Sequence, residues 1–177
     1  MTRLLPALLL CAGVAGAADA PVPAPSTFTV DIDRYAGTWY EIARMPHFFQ
    51  RNCARDTTAH YLREGDAVRV TNRCVDADGE EIKAEGRARV VEPASNRKLK
   101  VGFLSIFGWY PFEGDYWILD LDPDYRWVLV GTPSREYGWI LARDPQLDPA
   151  LRADLSARLK ALGYDPQTFT DTPQGTP

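Results

Sequence analysis

Lysine and arginine nowhere gather into a run, and their 20 residues are outnumbered by 24 acidic ones, leaving a formal charge of −4 and a pI near 5.2. A nucleic-acid binder presents a basic face that neutralises phosphates, so that class of partner is excluded. Arg87 and Arg89 alternate with Ala88 and Val90 and read as the wet face of a strand. Histidine is equally scarce. His47 and His60 show no ligand spacing with each other or with the cysteines, so neither a metal nor a cofactor is expected. Long apolar runs are missing too. The one candidate, residues 4–16, is too short to span a bilayer comfortably. At 177 residues and 45% hydrophobic content, the chain can bury one sizeable core but does not favour two.

The N-terminus reads as an address. Arg3 supplies a positive start, the apolar run follows, and Ala15-Gly16-Ala17 offers small residues for a signal peptidase, giving a signal peptide over residues 1–17. A later cut after Ala20 would leave Pro21 just beyond it, a poor substrate. Cys11 raises the alternative of a lipidated lipoprotein, but a lipidated cysteine normally follows a small residue and Leu10 stands there. Pro21, Pro23 and Pro25 then form a stiff linker over residues 18–27.

Export leaves Cys53 and Cys74, an even number in a compartment where disulfides persist. Residues 56–62 and 67–74 look like two strands joined by Arg63-Glu64-Gly65-Asp66. Folding that hairpin brings the two cysteines together at its open end. Further strands are expected at 80–91, 98–103, 115–121, 126–131 and 137–143, with Asp122-Pro123-Asp124-Tyr125 as a tight turn. Counting 38–44 as the first gives eight, the number that closes a barrel wide enough for one small ligand. A helix follows, with Asp148 as N-cap, Pro149 at its first position and Gly163 at its end. Its stripe of Leu151, Leu155, Leu159 and Leu162 suits packing on the outside of a sheet. The fold class is therefore all-β: an eight-stranded antiparallel up-and-down barrel with one C-terminal helix packed outside.

Gly37-Thr38-Trp39-Tyr40-Glu41, the Asp122-Pro123-Asp124-Tyr125 turn, Arg143 after an aromatic-led strand, and the helix come in an ordered set that resembles the lipocalins of the bacterial type, a group similar to outer-membrane lipoproteins and apolipoprotein D. The resemblance spans about residues 28–169, so the domain is placed at 28–170 with a disordered tail over 171–177. It implies a calyx closed by a floor of Gly37, Trp39 and Arg143, the last stacked on the indole. It also implies a ligand-facing set of Met45, Phe48, Phe49, Gly86, Val101, Phe103, Trp109, Tyr116, Trp127 and Trp139. By parity from Trp39 and Arg143, Glu41, Ala43, Leu141 and Trp139 share the interior face. On the neighbouring strand, Tyr116, Ile118 and Asp120 are expected inward, with Arg143 as partner to the Glu41 and Asp120 carboxylates.

Aromatic density marks the loops at the other end. Met45-Pro46-His47-Phe48-Phe49 leaves the first strand, and Phe107, Trp109, Tyr110 and Phe112 crowd one later loop. Loops are ordinarily wet, so these residues line a ligand entrance, pair two subunits or cover the core. The expected function is binding, storage or transport of a small hydrophobic or amphiphilic molecule, a fatty acid or lysophospholipid, by a periplasmic monomer or homodimer, with membrane association open. An outer-membrane lipoprotein or a secreted protein are the other locations. No catalytic residue is expected. The alternatives are an enzyme on the same barrel, using a thiol or acid, and an interaction protein using the aromatic loops.

Overall fold

A computed structural model of the protein describes residues 28–105 and 110–175. The expected leader and linker, together with Phe107 and Trp109, lie outside the described residues. After a one-turn helix, α1 (Ile32–Tyr35), come eight long strands: β1 (Gly37–Arg44), β2 (Arg55–Glu64), β3 (Ala67–Val75), β4 (Glu81–Val90), β5 (Lys98–Gly102), β6 (Glu113–Leu121), β7 (Trp127–Gly131) and β8 (Gly138–Ala142). Each lies antiparallel to the next, and β1 closes the ring by pairing with both β2 and β8. All eight expected strands are present, with ends moved by one or two residues.

Helix α2 (Pro149–Ala161) starts where its signals place it. The Asp148 carboxylate accepts from the amides of Ala150 and Leu151, satisfying donors that the first turn leaves free. Beyond its C-cap Leu162, Gly163 takes φ +84°, the left-handed conformation that glycine adopts without penalty. Leu155 and Leu159 are fully buried against the outside of β1, β7 and β8, with Leu151 and Leu162 half-buried beside them.

The apolar residues fall into two clusters. One fills the barrel with Trp39, Tyr61, Val68, Val70, Leu99, Ile118, Val128 and Val130. The other sits between barrel and helix, around Trp127, Leu129, Ile140 and Ala142. Strand β7 has both faces dry, so its five residues are all buried and Trp127 points outward, under Arg158 at 5.3 Å from its ring centroid. Trp127 therefore packs outside the barrel instead of lining its cavity, contrary to expectation. Met45 likewise packs with the outer cluster.

Two bulges invert the parity that alternation predicts. On β1 the pairing runs Glu41↔Leu141 and then Ala43↔Ile140, so Ile42 is an extra residue and Ala43 turns outward. On β6 it runs Ile118↔Val130 and then Asp120↔Leu129, so Asp120 also turns outward. There it meets Arg158 of α2 at 3.0 Å, not Arg143. Ala43 and Asp120 thus face outward, contrary to expectation.

The chain's end is also better ordered than expected. Above Thr58, β2 diverges from β1, and Thr170–Asp171 forms a ninth strand, β9, against Ala43 and Arg44. Gln174 Nε2 donates to the carbonyls of both Glu41 and Thr57, bridging β1 and β2. Residues 171–175 thus close a seam instead of trailing as a tail. The Cys53–Cys74 disulfide, with Cα atoms 5.5 Å apart, ties the loop after β1 to the end of β3. A bridge over this sequence separation contributes about 3 kcal/mol in the loop-entropy account.

Candidate functional site: a floored cavity with an aromatic mouth

Trp39 is wholly buried, and its indole donates Nε1–H to the carbonyl of Tyr35 at 2.8 Å. Arg143 lies over the same ring, its Cζ 3.9 Å from the centroid. Its guanidinium donates to the carbonyls of Arg34, Tyr35, Ala36 and Thr38 at 2.7–3.1 Å, satisfying acceptors at the end of α1 and the start of β1. Gly37 is required beside it for two reasons. Its φ is +99°, and a Cβ there would stand 3.2 Å from Arg143 Nη1. This half-buried cation–π contact is worth about 1–2 kcal/mol.

Above the floor the barrel encloses a cavity of about 930 Å³. Its deep end is lined by Tyr35, Tyr61, Tyr116 and Leu99, and its middle by Ala59, Val70, Ala88, Val101 and Leu141. Burial pushes the Tyr61 phenol up to about 12 and those of Tyr35 and Tyr116 well above their ordinary range, so all three stay protonated at neutral pH. Phe48, Phe49, Phe103, Phe112, Tyr137 and Trp139 surround the open end. Phe48 and Phe112 are 73% and 71% exposed, which for rings of this size is a large apolar area left in water.

One carboxylate is built into the wall. Glu41, only 3% exposed, accepts from Arg44 at 2.7 Å, Thr172 at 2.6 Å and Gln50 at 2.7 Å. Its expected partner, Arg143, is already committed at the floor. The bulge at Ile42 brings Arg44 back to the side of Glu41, three residues on, and β9 delivers Thr172. Arg44 also donates to the Cys53 carbonyl at 3.2 Å, so this cation is part of the wall and not a free group at the mouth.

Of the expected ligand-facing residues, Phe48, Phe49, Val101, Phe103, Tyr116 and Trp139 do line the cavity. Gly86 acts through what it omits. A Cβ there would lie 2.6 Å from the Gly102 carbonyl oxygen and 2.7 Å from Phe103 Cδ1, so the glycine makes room for that ring. Tyr35 and Tyr61 were not singled out from the sequence. Tyr35 sits on α1, a helix too short to show a period, and Tyr61 is a single aromatic in an otherwise mixed strand. At the mouth His47 stacks on Phe49 with centroids 3.7 Å apart, and lies 5.4 Å from Trp139. Burial, then the nearby Arg44 charge, lowers its pKa to about 4, so it is neutral at physiological pH. His60 is elsewhere, bonded to Thr38 at 2.9 Å.

Comparison with known proteins agrees with this geometry. Residues 30–174 match the model of a lipocalin-like domain. The outer membrane lipoprotein Blc of Escherichia coli K12 is 37% identical over 174 residues, covering 94% of this chain and 95% of that protein. Temperature-induced lipocalin-1 of Arabidopsis thaliana is 38% identical over 149 residues, covering 82% and 80% respectively. Among solved structures, insecticyanin from the tobacco hornworm Manduca sexta superposes with a TM-score of 0.63 over 82% of this chain and 81% of that one, at 21% identity. A floor of Trp39 under Arg143, a ring of eight strands with α2 outside it, and a match over nearly the whole described chain lead to one assignment: the chain belongs to the lipocalin family, in its bacterial group.

Proposed function

We propose that the protein is a non-catalytic carrier of a single-chain amphiphile, a fatty acid or lysophospholipid, in a bacterial cell envelope. Membership of the lipocalin family and the relation to Blc support binding of a small hydrophobic molecule. The observation that carries the finer reading is the cavity itself: about 930 Å³, closed at one end, mostly apolar with Glu41, Thr57, Thr58 and Asn72 among its lining, and ringed by aromatics at the other end. Its size is at the upper end of ordinary small-molecule sites. A chain of roughly 14 buried methylenes, at about 0.8 kcal/mol each, gains on the order of 11 kcal/mol. Subtracting several kcal/mol for association and chain ordering leaves affinity near the micromolar range, which suits a carrier that must release its cargo.

The chemistry of the wall favours binding over catalysis. Both cysteines of the domain are joined in a disulfide, which removes the thiol nucleophile an enzyme on this barrel would use. The Glu41 carboxylate is engaged by three donors, and the phenols hold their protons at neutral pH. The disulfide also fits the periplasm, reached through a signal peptide over residues 1–17. The decisive experiment loads the purified protein with a fluorescent fatty acid and titrates in unlabelled fatty acid and lysophospholipid. Displacement with micromolar midpoints is expected; failure of every lipid class to displace the probe overturns the proposal.

A further inference from the structure

Three phenols meet at the deep end of the cavity. Tyr116 Oη on β6 lies 2.7 Å from Tyr35 Oη on α1 and 2.9 Å from Tyr61 Oη on β2, and all three side chains line the cavity. Three hydroxyls carry three protons. Two phenol–phenol bonds engage two of them, whichever way each bond is directed. One proton is therefore left over, and among the described residues these hydroxyls make no other hydrogen bond. The surroundings are apolar, with the Trp39 ring 5.1 Å from that of Tyr35 and Leu99 beside Tyr116 across the β5–β6 pair. A donor left without an acceptor in such a place costs more than an ordinary hydrogen bond gains. Phenylalanines of the same shape would pack the deep end without that cost.

We propose that this phenol cluster is a specificity site for a neutral oxygen acceptor, a ketone or hydroxyl, carried at the buried terminus of the ligand. The inference rests on reading the cavity as an amphiphile site, and it names the cargo more closely: a chain oxygenated at both ends, with its ionic group at the mouth. A carboxylate is the wrong acceptor for the deep end, because it needs a counter-ion there. Arg143 is the cation at the floor, and its guanidinium is occupied by four backbone carbonyls. A ketone needs only the one proton that the cluster has to offer.

The test compares isomers, so that hydrophobicity cancels. Full-length protein is titrated with a saturated sixteen-carbon fatty acid and with its two keto derivatives, one with the ketone next to the terminal methyl and one with it in mid-chain. The terminal ketone is expected to bind about fivefold or more tightly than the mid-chain isomer, the scale of one buried hydrogen bond. In the Tyr35→Phe/Tyr61→Phe/Tyr116→Phe variant the two isomers should bind alike, while the unsubstituted acid still binds. Equal affinity of the isomers for the unaltered protein overturns the proposal, as does a preference that survives in the variant. The isomer comparison on the unaltered protein decides even where the variant fails to fold. If neither the plain acid nor either isomer binds, the cavity reading fails and the phenol site with it.

Discussion

The two ends of the barrel are built on opposite terms. At the floor, Trp39 is fully buried and Arg143 gives its donors to four carbonyls, so each group answers another within the chain. At the mouth, Phe48, Phe49 and Phe112 hold most of their rings in water, at 73%, 58% and 71% exposure. Folding alone rewards the first arrangement and gains nothing from the second. The difference separates residues that make the container from residues that the carrier proposal assigns to its cargo. The most recognisable motif of the chain belongs to the container.

Substitution at each end should expose this difference. Trp39→Ala removes a buried indole and the ring under Arg143, and should cost about 3–5 kcal/mol in urea denaturation. Phe48→Ser should move stability by no more than about 0.5 kcal/mol, as a surface change does, while weakening lipid affinity. Equal stability losses at the two ends would erase the distinction. An effect confined to acid is expected at His47, where the folded pKa of about 4 lies below the ordinary 6.5. The unfolded chain takes up this proton first, so stability is fully present above pH 6.5 and drains away as pH falls toward 4. Melting temperatures across that window should fall more for the unaltered protein than for His47→Phe. Identical slopes would mean that the imidazole is not held neutral by its burial among the mouth aromatics.

Much of the container was legible in the sequence. Alternation and turn signals marked the eight strands, Asp148, Pro149 and Gly163 bracketed the helix, and the family resemblance pointed to Trp39 with Arg143 as the floor. What alternation could not carry was parity past a bulge. Ile42 and Leu119 each add one residue to a strand, and Ala43 and Asp120 consequently face the helix instead of the cavity. Trp127 was misplaced for a related reason: β7 is dry on both faces, so its apolar run carries no period from which to tell inside from outside. Strand β9, two residues long, has no pattern of its own. Its place depends on the divergence of β2 from β1, a property of the closed sheet and not of residues 170–175. The phenol cluster is tertiary in the same sense, since α1, β2 and β6 contribute one hydroxyl each.

Native mass spectrometry of the protein purified gently from the cells that make it tests the carrier reading most directly. One amphiphile per chain should survive in the gas phase, and extraction should return a single-chain lipid. A bare chain, unchanged by incubation with excess fatty acid and lysophospholipid, would contradict the claim that this barrel is a container for cargo.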